Sequence, residues 1–273
     1  MAAKFRRVFV EITNACNLSC GFCAPSKRAP AFMTVAAFEN VAAQLKPLAA
    51  MVSPHVLGEP LFHPRFAEIL KACSRAGLSV NLVTNGTLLD CLTPRLVEES
   101  CLRQVSFSLH SLEFIAPEKR SEALSRIITF AKTKPEKLIV AFRLRGESLS
   151  GRKTAERVLS AFGRLDALSS EKPVTLGEKI FFHRGGLFGW PGQGTGAERK
   201  TCLGLKHHFA ILATGAVVPC CMDYDGALSI GNVSEQPLAE ILESPAARKM
   251  RARLSSSGKL PDFCSGCGFI PPQ

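Results

Sequence analysis

No stretch of the chain approaches the roughly 18 consecutive apolar residues of a membrane helix, so the sequence predicts no spanning segment. It also lacks internal repeats and low-complexity tracts, which excludes a solenoid or a disordered array. The opening Met1-Ala2-Ala3-Lys4-Phe5-Arg6-Arg7 sets basic residues before an apolar run, but Glu11 interrupts that run and no small-residue cleavage site follows. It reads as a strand rather than a secretory leader. Acidic residues are scarce: 23 Asp and Glu stand against 34 Lys and Arg, a net charge of +11. Such a balance favours an anionic partner, whether nucleic acid, a phosphorylated metabolite or an acidic protein, or else describes a solvated basic surface. The aromatic stacking platforms expected of single-strand nucleic-acid binders are not evident. With 46% hydrophobic and 21% charged residues over 273 positions, the composition is that of a soluble globular protein. A chain of this length has room for one large α/β domain and a small appendage.

Cysteine, by contrast, is plentiful, with eleven residues. The chain is too long for a small disulfide-stapled scaffold, and most of its cysteines fall at metal-ligand spacings, which points to a reducing cytoplasm. Cys16, Cys20 and Cys23 follow the first predicted strand as Cys-x3-Cys-x2-Cys. A four-iron cluster needs four ligands to be closed, so three thiolates leave one iron open to bind a small molecule. A zinc knuckle or buried free thiols are the alternatives, although zinc sites usually pair one CxxC with a second CxxC or an HxxxH. Near the other end stand Cys202, Cys220, Cys264 and Cys267, with Cys221 a rival to Cys220. Four thiolates can enclose either tetrahedral zinc or an iron–sulfur cluster. Cys73, Cys91 and Cys101 have no ligand spacing and read as core or surface thiols.

Between these groups the hydrophobic pattern alternates. Strands are predicted at 8–12, up to Val56-Leu57, at Leu78–Val83, Gln104–Leu109, Leu138–Leu144 and Lys179–Phe182. Helices are predicted at Val35–Lys46, capped by Thr34, then at Phe66–Ala76, Arg95–Ser100, Glu118–Lys132 and Thr154–Leu168. About six βα units imply a parallel sheet under helices, curled into a full or partial barrel whose sites lie at the C-terminal strand ends. From His183 to Arg199, glycines surround the lone Trp190. Gly192-x-Gly194-x-Gly196 lacks the strand-to-helix setting of a dinucleotide fingerprint and reads as a linker or lid. Trp190 is a packing residue between domains or a substrate contact. A hairpin at Phe209–Leu212 and Ala216–Val218, turning at Thr214-Gly215, and a helix at Pro237–Met250 form a last unit. The expected division is 1–183, a linker at 184–201, and 202–273.

The triplet, with Phe22 before its third cysteine, resembles the signature of radical S-adenosylmethionine (SAM) enzymes, and the late cysteines resemble the Twitch or shortened SPASM auxiliary-cluster domain. The resemblance implies a TIM-like (β/α)6 fold, a SAM-binding [4Fe-4S] cluster on Cys16, Cys20 and Cys23, and SAM itself. It further implies an auxiliary [4Fe-4S] cluster on Cys202, Cys220, Cys264 and Cys267; with the chain ending at Gln273, one such cluster is expected. Gly58 and Glu59 match the family's GE motif near the SAM amino group, and Phe22 matches the residue whose backbone meets adenine. Asn85 matches a frequent family turn, with simple turn chemistry as the alternative. Ser108, chosen over Ser106 and His110, matches a ribose contact, and Arg143 or Arg145 would pair with the SAM carboxylate or an anionic substrate.

No catalytic acid or base is singled out among His183, His207, His208, Asp223 and Tyr224. The activity implied is two-electron oxidation of a small molecule, with the auxiliary cluster accepting an electron and a donor such as flavodoxin or ferredoxin supplying one. Radical modification of a peptide, protein or RNA is the rival; no room for an N-terminal peptide-recognition domain precedes residue 8. A non-catalytic alternative is a zinc-stapled basic protein that binds nucleic acid.

Overall fold

A computed structural model describes residues 5–187, 189–192, 202–255, 259–264 and 266–268. Gly194, Gly196 and Arg199 of the glycine-rich stretch lie outside the described residues. Six strands run parallel: β1 (Arg7–Val10), β2 (Met51–Ser53), β3 (Ser79–Thr84), β4 (Leu102–Ser108), β5 (Ile139–Arg145) and, after one further strand, β7 (Ile180–Gly185). The intervening helices are α1 (Val35–Leu45), α2 (Phe66–Ala76), α3 (Pro94–Glu99), α4 (Pro117–Thr133) and α5 (Leu149–Ala161). Thr34 caps α1 through the Ala37 amide, and Gly77 closes α2 in the left-handed region at φ 68°.

One expected helix is corrected and one unexpected strand is added. The helix expected at Thr154–Leu168 begins instead at Leu149, where Ser148 accepts from the Gly151 amide, and ends at Ala161, before Gly163 at φ 67°. β6 (Val174–Gly177), which the reading of the sequence missed, pairs antiparallel with β7 and covers that edge of the sheet.

The C-terminal unit also departs from expectation. Its hairpin, β8 (His208–Ile211) and β9 (Ala216–Val218), turns at Gly215 with φ 86°, and a short β10 (Gly231–Asn232) pairs with β9. β8 then adds in parallel to β1, Arg7 opposite His208 and Val10 opposite Ile211. The result is one ten-stranded sheet in the order β10-β9-β8-β1-β2-β3-β4-β5-β7-β6, so the barrel is partial. The single helix expected at Pro237–Met250 is two, α6 (Leu238–Glu243) and α7 (Pro245–Leu254). Ser244 ends one and caps the other, because Pro245 cannot continue the first helix.

Alternation along the strands decides the two faces. Val8, Val10, Val52, Val80, Leu82, Val105, Phe107, Val140 and Phe142 pack in the main core with Phe38, Ile69, Ile127 and Val158 from the helices. The intervening residues, among them Arg7, Ser53, Asn81, Ser106, Arg143 and His183, therefore face the barrel interior.

Just past β1, Glu11 is fully buried. Arg28 meets it through two nitrogens at 2.7 and 2.6 Å, while the amides of Leu57 and Ala213 donate to it at 3.1 and 3.0 Å. One carboxylate thus joins β1, the cysteine-bearing loop, the segment after β2 and the C-terminal unit. Stranding a buried charge costs about 3–5 kcal/mol. Arg28→Met is expected to lower stability to urea by that order, with Arg28→Lys recovering part of it. An unchanged unfolding midpoint in the Met variant would contradict this.

Candidate functional site

The first cysteine group sits on an excursion between β1 and α1, pinched at its neck. Thr13 Oγ1 donates to the Ala31 carbonyl at 2.8 Å, Asn14 Nδ2 to that of Ala29 at 2.9 Å, and the Ala31 amide to Asn14 Oδ1 at 2.7 Å. Gly58, at φ 76°, lies against the start of this loop: a Cβ there would come within 2.5 Å of the Thr13 carbonyl oxygen and 2.7 Å of that of Ala15. Only glycine allows both the left-handed backbone and the close approach. The Glu59 amide then donates to the Ala15 carbonyl at 3.0 Å.

Glu59 is buried, and its carboxylate accepts from Thr84 Oγ1 (2.7 Å), the Asn85 amide (2.7 Å) and the Leu61 amide (3.1 Å). Burial raises its pKa, and these three donors oppose the rise. The Asn85 side chain accepts from the Thr87 amide at 2.9 Å, a turn contact, and also donates to Asn17 Oδ1 at 3.0 Å inside the cysteine loop. Asn85 is therefore both a turn residue and a brace for the triplet.

The Phe22 ring lies tilted against His110, with ring centroids 4.6 Å apart, and its carbonyl accepts from Trp190 Nε1 at 2.9 Å. Trp190 packs edge-on against Tyr224 of the C-terminal unit, at 5.4 Å. It thus joins the two halves of the chain. Ser108 and Arg143 are paired in register on β4 and β5, with His183 the next partner on β7. Ser106 is buried and accepts from Gln104 Nε2 at 2.9 Å, and His110 Nδ1 lies 3.3 Å from the Arg143 carbonyl oxygen.

Both cysteine groups suit iron–sulfur clusters. Burial, then the neighbouring Cys16 and Cys23, push the Cys20 thiol up to about 12; burial, Cys202 and Cys267 push Cys264 to about 12 as well. Cys220 is raised by burial, Cys221, Cys202 and Cys264. Thiols packed so that each opposes its neighbour's ionisation hold little charge by themselves; a bound cationic centre reverses that. Among the described residues no three His, Cys, Asp or Glu side chains converge as a single metal ion requires. A four-iron cube instead meets each thiolate at a separate corner. Burial pushes the Cys221 thiol up to about 12, with Cys267 and Cys202 adding to the rise, so the choice between the adjacent Cys220 and Cys221 stays open. Cys73 is buried in the core, Cys101 is half-buried and Cys91 exposed.

The interior between the two groups is basic. His55, which the sequence did not flag because it lies in no motif, has a buried Nδ1 with no hydrogen-bond partner among the described residues. Burial, Arg143 and Arg7 hold its pKa down at about 3, and burial, His207 and Arg7 hold His208 at about 4. His183 is lowered by burial, Arg143 and Arg145. Asp223 is fully buried and accepts from the Ala227 and Leu228 amides, both at 2.8 Å, so it shapes a turn. His63, also unflagged, is buried between the Met33 carbonyl (2.9 Å) and the Arg65 amide (3.1 Å).

His55 has a folded pKa below its ordinary 6.5, so the unfolded chain binds the extra proton and stability falls as pH drops from 6.5 toward about 3. Between pH 7.5 and 5.5 this one group is expected to remove about 1.4 kcal/mol. His55→Gln should flatten the pH dependence of urea unfolding by that amount; an identical slope in the variant would refute it.

Comparison with known proteins places these features. The model of the radical SAM superfamily matches residues 10–141, and that of the SPASM iron–sulfur cluster-binding domain matches residues 202–268. The chain is 24% identical over 282 aligned positions to the S-adenosyl-L-methionine-dependent 2-deoxy-scyllo-inosamine dehydrogenase of Niallia circulans, covering 100% of this chain and 96% of the relative. The crystal structure of BtrN in complex with AdoMet and 2-DOIA superposes with a TM-score of 0.60 at 18% identity, covering 99% of this chain and 95% of the other. Streptococcus suis SuiB bound to precursor peptide SuiA gives 0.61 at 15% identity, over 97% of this chain and 70% of that one. The iron–sulfur assignment supersedes the zinc-stapled reading, and with it SAM and a [4Fe-4S] cluster are the cofactors. A pinched three-cysteine loop after the first strand of a partial barrel, followed by a thiol-rich hairpin unit, is how this chain belongs to the radical SAM superfamily, as an enzyme with a C-terminal SPASM domain.

Proposed function

We propose that the enzyme dehydrogenates a small molecule, with Cys16, Cys20 and Cys23 holding the SAM-binding cluster and Cys202, Cys220, Cys264 and Cys267 holding one auxiliary cluster. The observation that carries this reading is that the late thiols adjoin the same interior that the cysteine loop overlooks. Arg7, inward-facing on β1, and the Cys221 thiol sense each other's charge. Cys221 and Trp190 also pack against a small inner cluster of Val56, Leu57, Ala210 and Tyr224. The full-length match to a SAM-dependent dehydrogenase supports the same reaction class.

When bound and reduced, the first cluster with SAM supplies a 5′-deoxyadenosyl radical that takes a hydrogen atom, and the second cluster supplies an acceptor for one further electron. The balance for an alcohol is loss of one C–H and one O–H hydrogen, with a proton left over. The chain's own groups orient and deprotonate. Phe22, Gly58, Glu59, Asn85, Ser108 and Arg143 are assigned to SAM, although Glu59 and Asn85 spend most of their hydrogen-bonding capacity bracing the loop. His183 and His208 face inward and are kept neutral, as a proton acceptor must be. Asp223 is excluded from that role by its turn contacts. The units are assigned as 1–183, 184–201 and 202–273.

Two substitutions separate the roles. With anaerobically reconstituted protein, dithionite and SAM, Cys20→Ala is expected to abolish 5′-deoxyadenosine formation; full yield in that variant would falsify the assignment. Cys264→Ala is expected to lose the iron of one cluster while sparing part of SAM cleavage. An unchanged iron and sulfide content would remove Cys264 from the ligand set.

A further inference from the structure

Helix α7 carries a block of positive charge with no counter-charge of its own. Its inward side is Ala247 and Leu254, with Met250 packed in part against the core. Around that side stand Arg248, Lys249, Arg251 and Arg253, and the helix holds no acidic residue. Among the described residues, none of these four cations has a carboxylate within salt-bridge distance. Arg75, Arg126 and Arg152 of the barrel helices, by contrast, each meet one. The three arginines of α7 are held instead by main-chain carbonyls, those of Glu243 (2.6 Å), Leu242 (2.5 Å) and Lys259 (3.3 Å). Their guanidinium groups are thereby fixed while their charge stays uncompensated, and Arg248 and Lys249 are exposed.

The same helix ends on the late thiols. The Leu254 carbonyl accepts from the Cys202 amide at 3.0 Å, and a Cβ on Gly204 would come within 3.2 Å of Leu254 Cδ1. Arg253, through the Lys259 carbonyl, ties the helix to the segment that leads to Cys264, and its charge reaches that thiol. Arg248 stands only six residues before Leu254, about 9 Å along the helix. The basic block therefore flanks the auxiliary thiols. Among the described residues, the large exposed apolar side chains all lie before residue 188, on the other unit. A charged face without an apolar centre suits a small, transient contact, the size class of electron-transfer encounters, rather than a permanent one.

We propose that α7 is the docking face for an acidic one-electron carrier protein, which removes from the auxiliary cluster the electron that each substrate leaves there. This rests on the dehydrogenase reading, in which the second cluster takes one electron per substrate and has to lose it before it can accept another. The carrier is reduced by one electron as the cluster is reoxidised, and no bond forms or breaks. A carrier of negative charge is steered to the end of the chain where the thiols lie, and one of positive charge is turned away.

The test is calorimetric titration of anaerobically reconstituted enzyme at low salt. The probes are oxidised flavodoxin, a basic cytochrome c and a short single-stranded RNA. Flavodoxin is expected to bind, more weakly as salt rises, and cytochrome c is not. Arg248→Glu combined with Lys249→Glu should weaken flavodoxin binding about tenfold. It should slow by a similar factor the reoxidation by flavodoxin of enzyme reduced beforehand with dithionite and desalted. Lys71→Glu combined with Lys153→Glu, an equal change of net charge placed on α2 and α5, should alter neither. Circular dichroism and iron content verify that each variant is folded and loaded, and Arg248→Gln with Lys249→Gln serves if the reversed pair is not. Equal weakening by the two reversed pairs would overturn the proposal, because net charge and not α7 would then govern binding. Binding and reoxidation untouched by the α7 changes would overturn it as well, placing the carrier elsewhere. RNA that binds more tightly than flavodoxin, with the same dependence on α7, would reassign the face to nucleic acid. Iron and sulfide content of Cys264→Ala, measured separately, reports on the auxiliary cluster without reference to any carrier.

Discussion

The buried carboxylate of Glu11 is the constraint on which the remaining architecture turns. It accepts from Arg28, Leu57 and Ala213, groups drawn from three segments that are far apart in sequence and meet only at the end of β1. A charge so enclosed has to be fully satisfied, so each of those segments is fixed relative to the others. Arg28 closes the far side of the cysteine excursion, Leu57 leads into Gly58 and Glu59, and Ala213 begins the turn of the C-terminal hairpin. The two thiol groups are held in a common frame by one ion pair and two amides.

Around that frame the chain is built with opposite chemistry on the two faces of its sheet. The outer face is apolar and packs under helices; the inner face is polar, basic and incompletely paired. Burial of a hydrophobic face stabilises a fold, whereas unpaired interior polar groups weaken it. The inner face therefore contributes less to stability than the outer one. The thiols follow the same logic. Packed against each other and away from water, they resist ionisation until a metal centre supplies the opposing charge.

Continuity of the sheet joins the two units. β8 extends the parallel sheet past β1, and the main-chain ladder passes from barrel to cluster domain without a break. Trp190 adds a second join through the Phe22 carbonyl and Tyr224. A cluster domain fastened by a β-ladder keeps its thiols at a fixed distance from the interior, which electron transfer from a substrate would need.

Local spacing carried much of this. The six parallel strands and the early helices follow from apolar periodicity closed by Thr34, Gly77 and similar punctuation, and the cysteine spacings together with the family resemblance gave the cofactors. For the helix expected at Thr154–Leu168, the Ser148 cap and the stop at Gly163 are present in the sequence, but apolar periodicity alone set its boundaries too late. The break at Pro245 was legible but passed over. By itself the sequence determined the alternation of strand and helix and the presence of two thiol groups, because both rest on neighbours within a few residues. Only the tertiary structure decided that Glu11, an apparent interruption of an apolar strand, is the common acceptor of distant segments. It alone also buried polar atoms of His55, Ser53 and Asn81 without hydrogen-bond partners among the described residues, since strand register and barrel curvature choose their neighbours and leave no mark on local spacing.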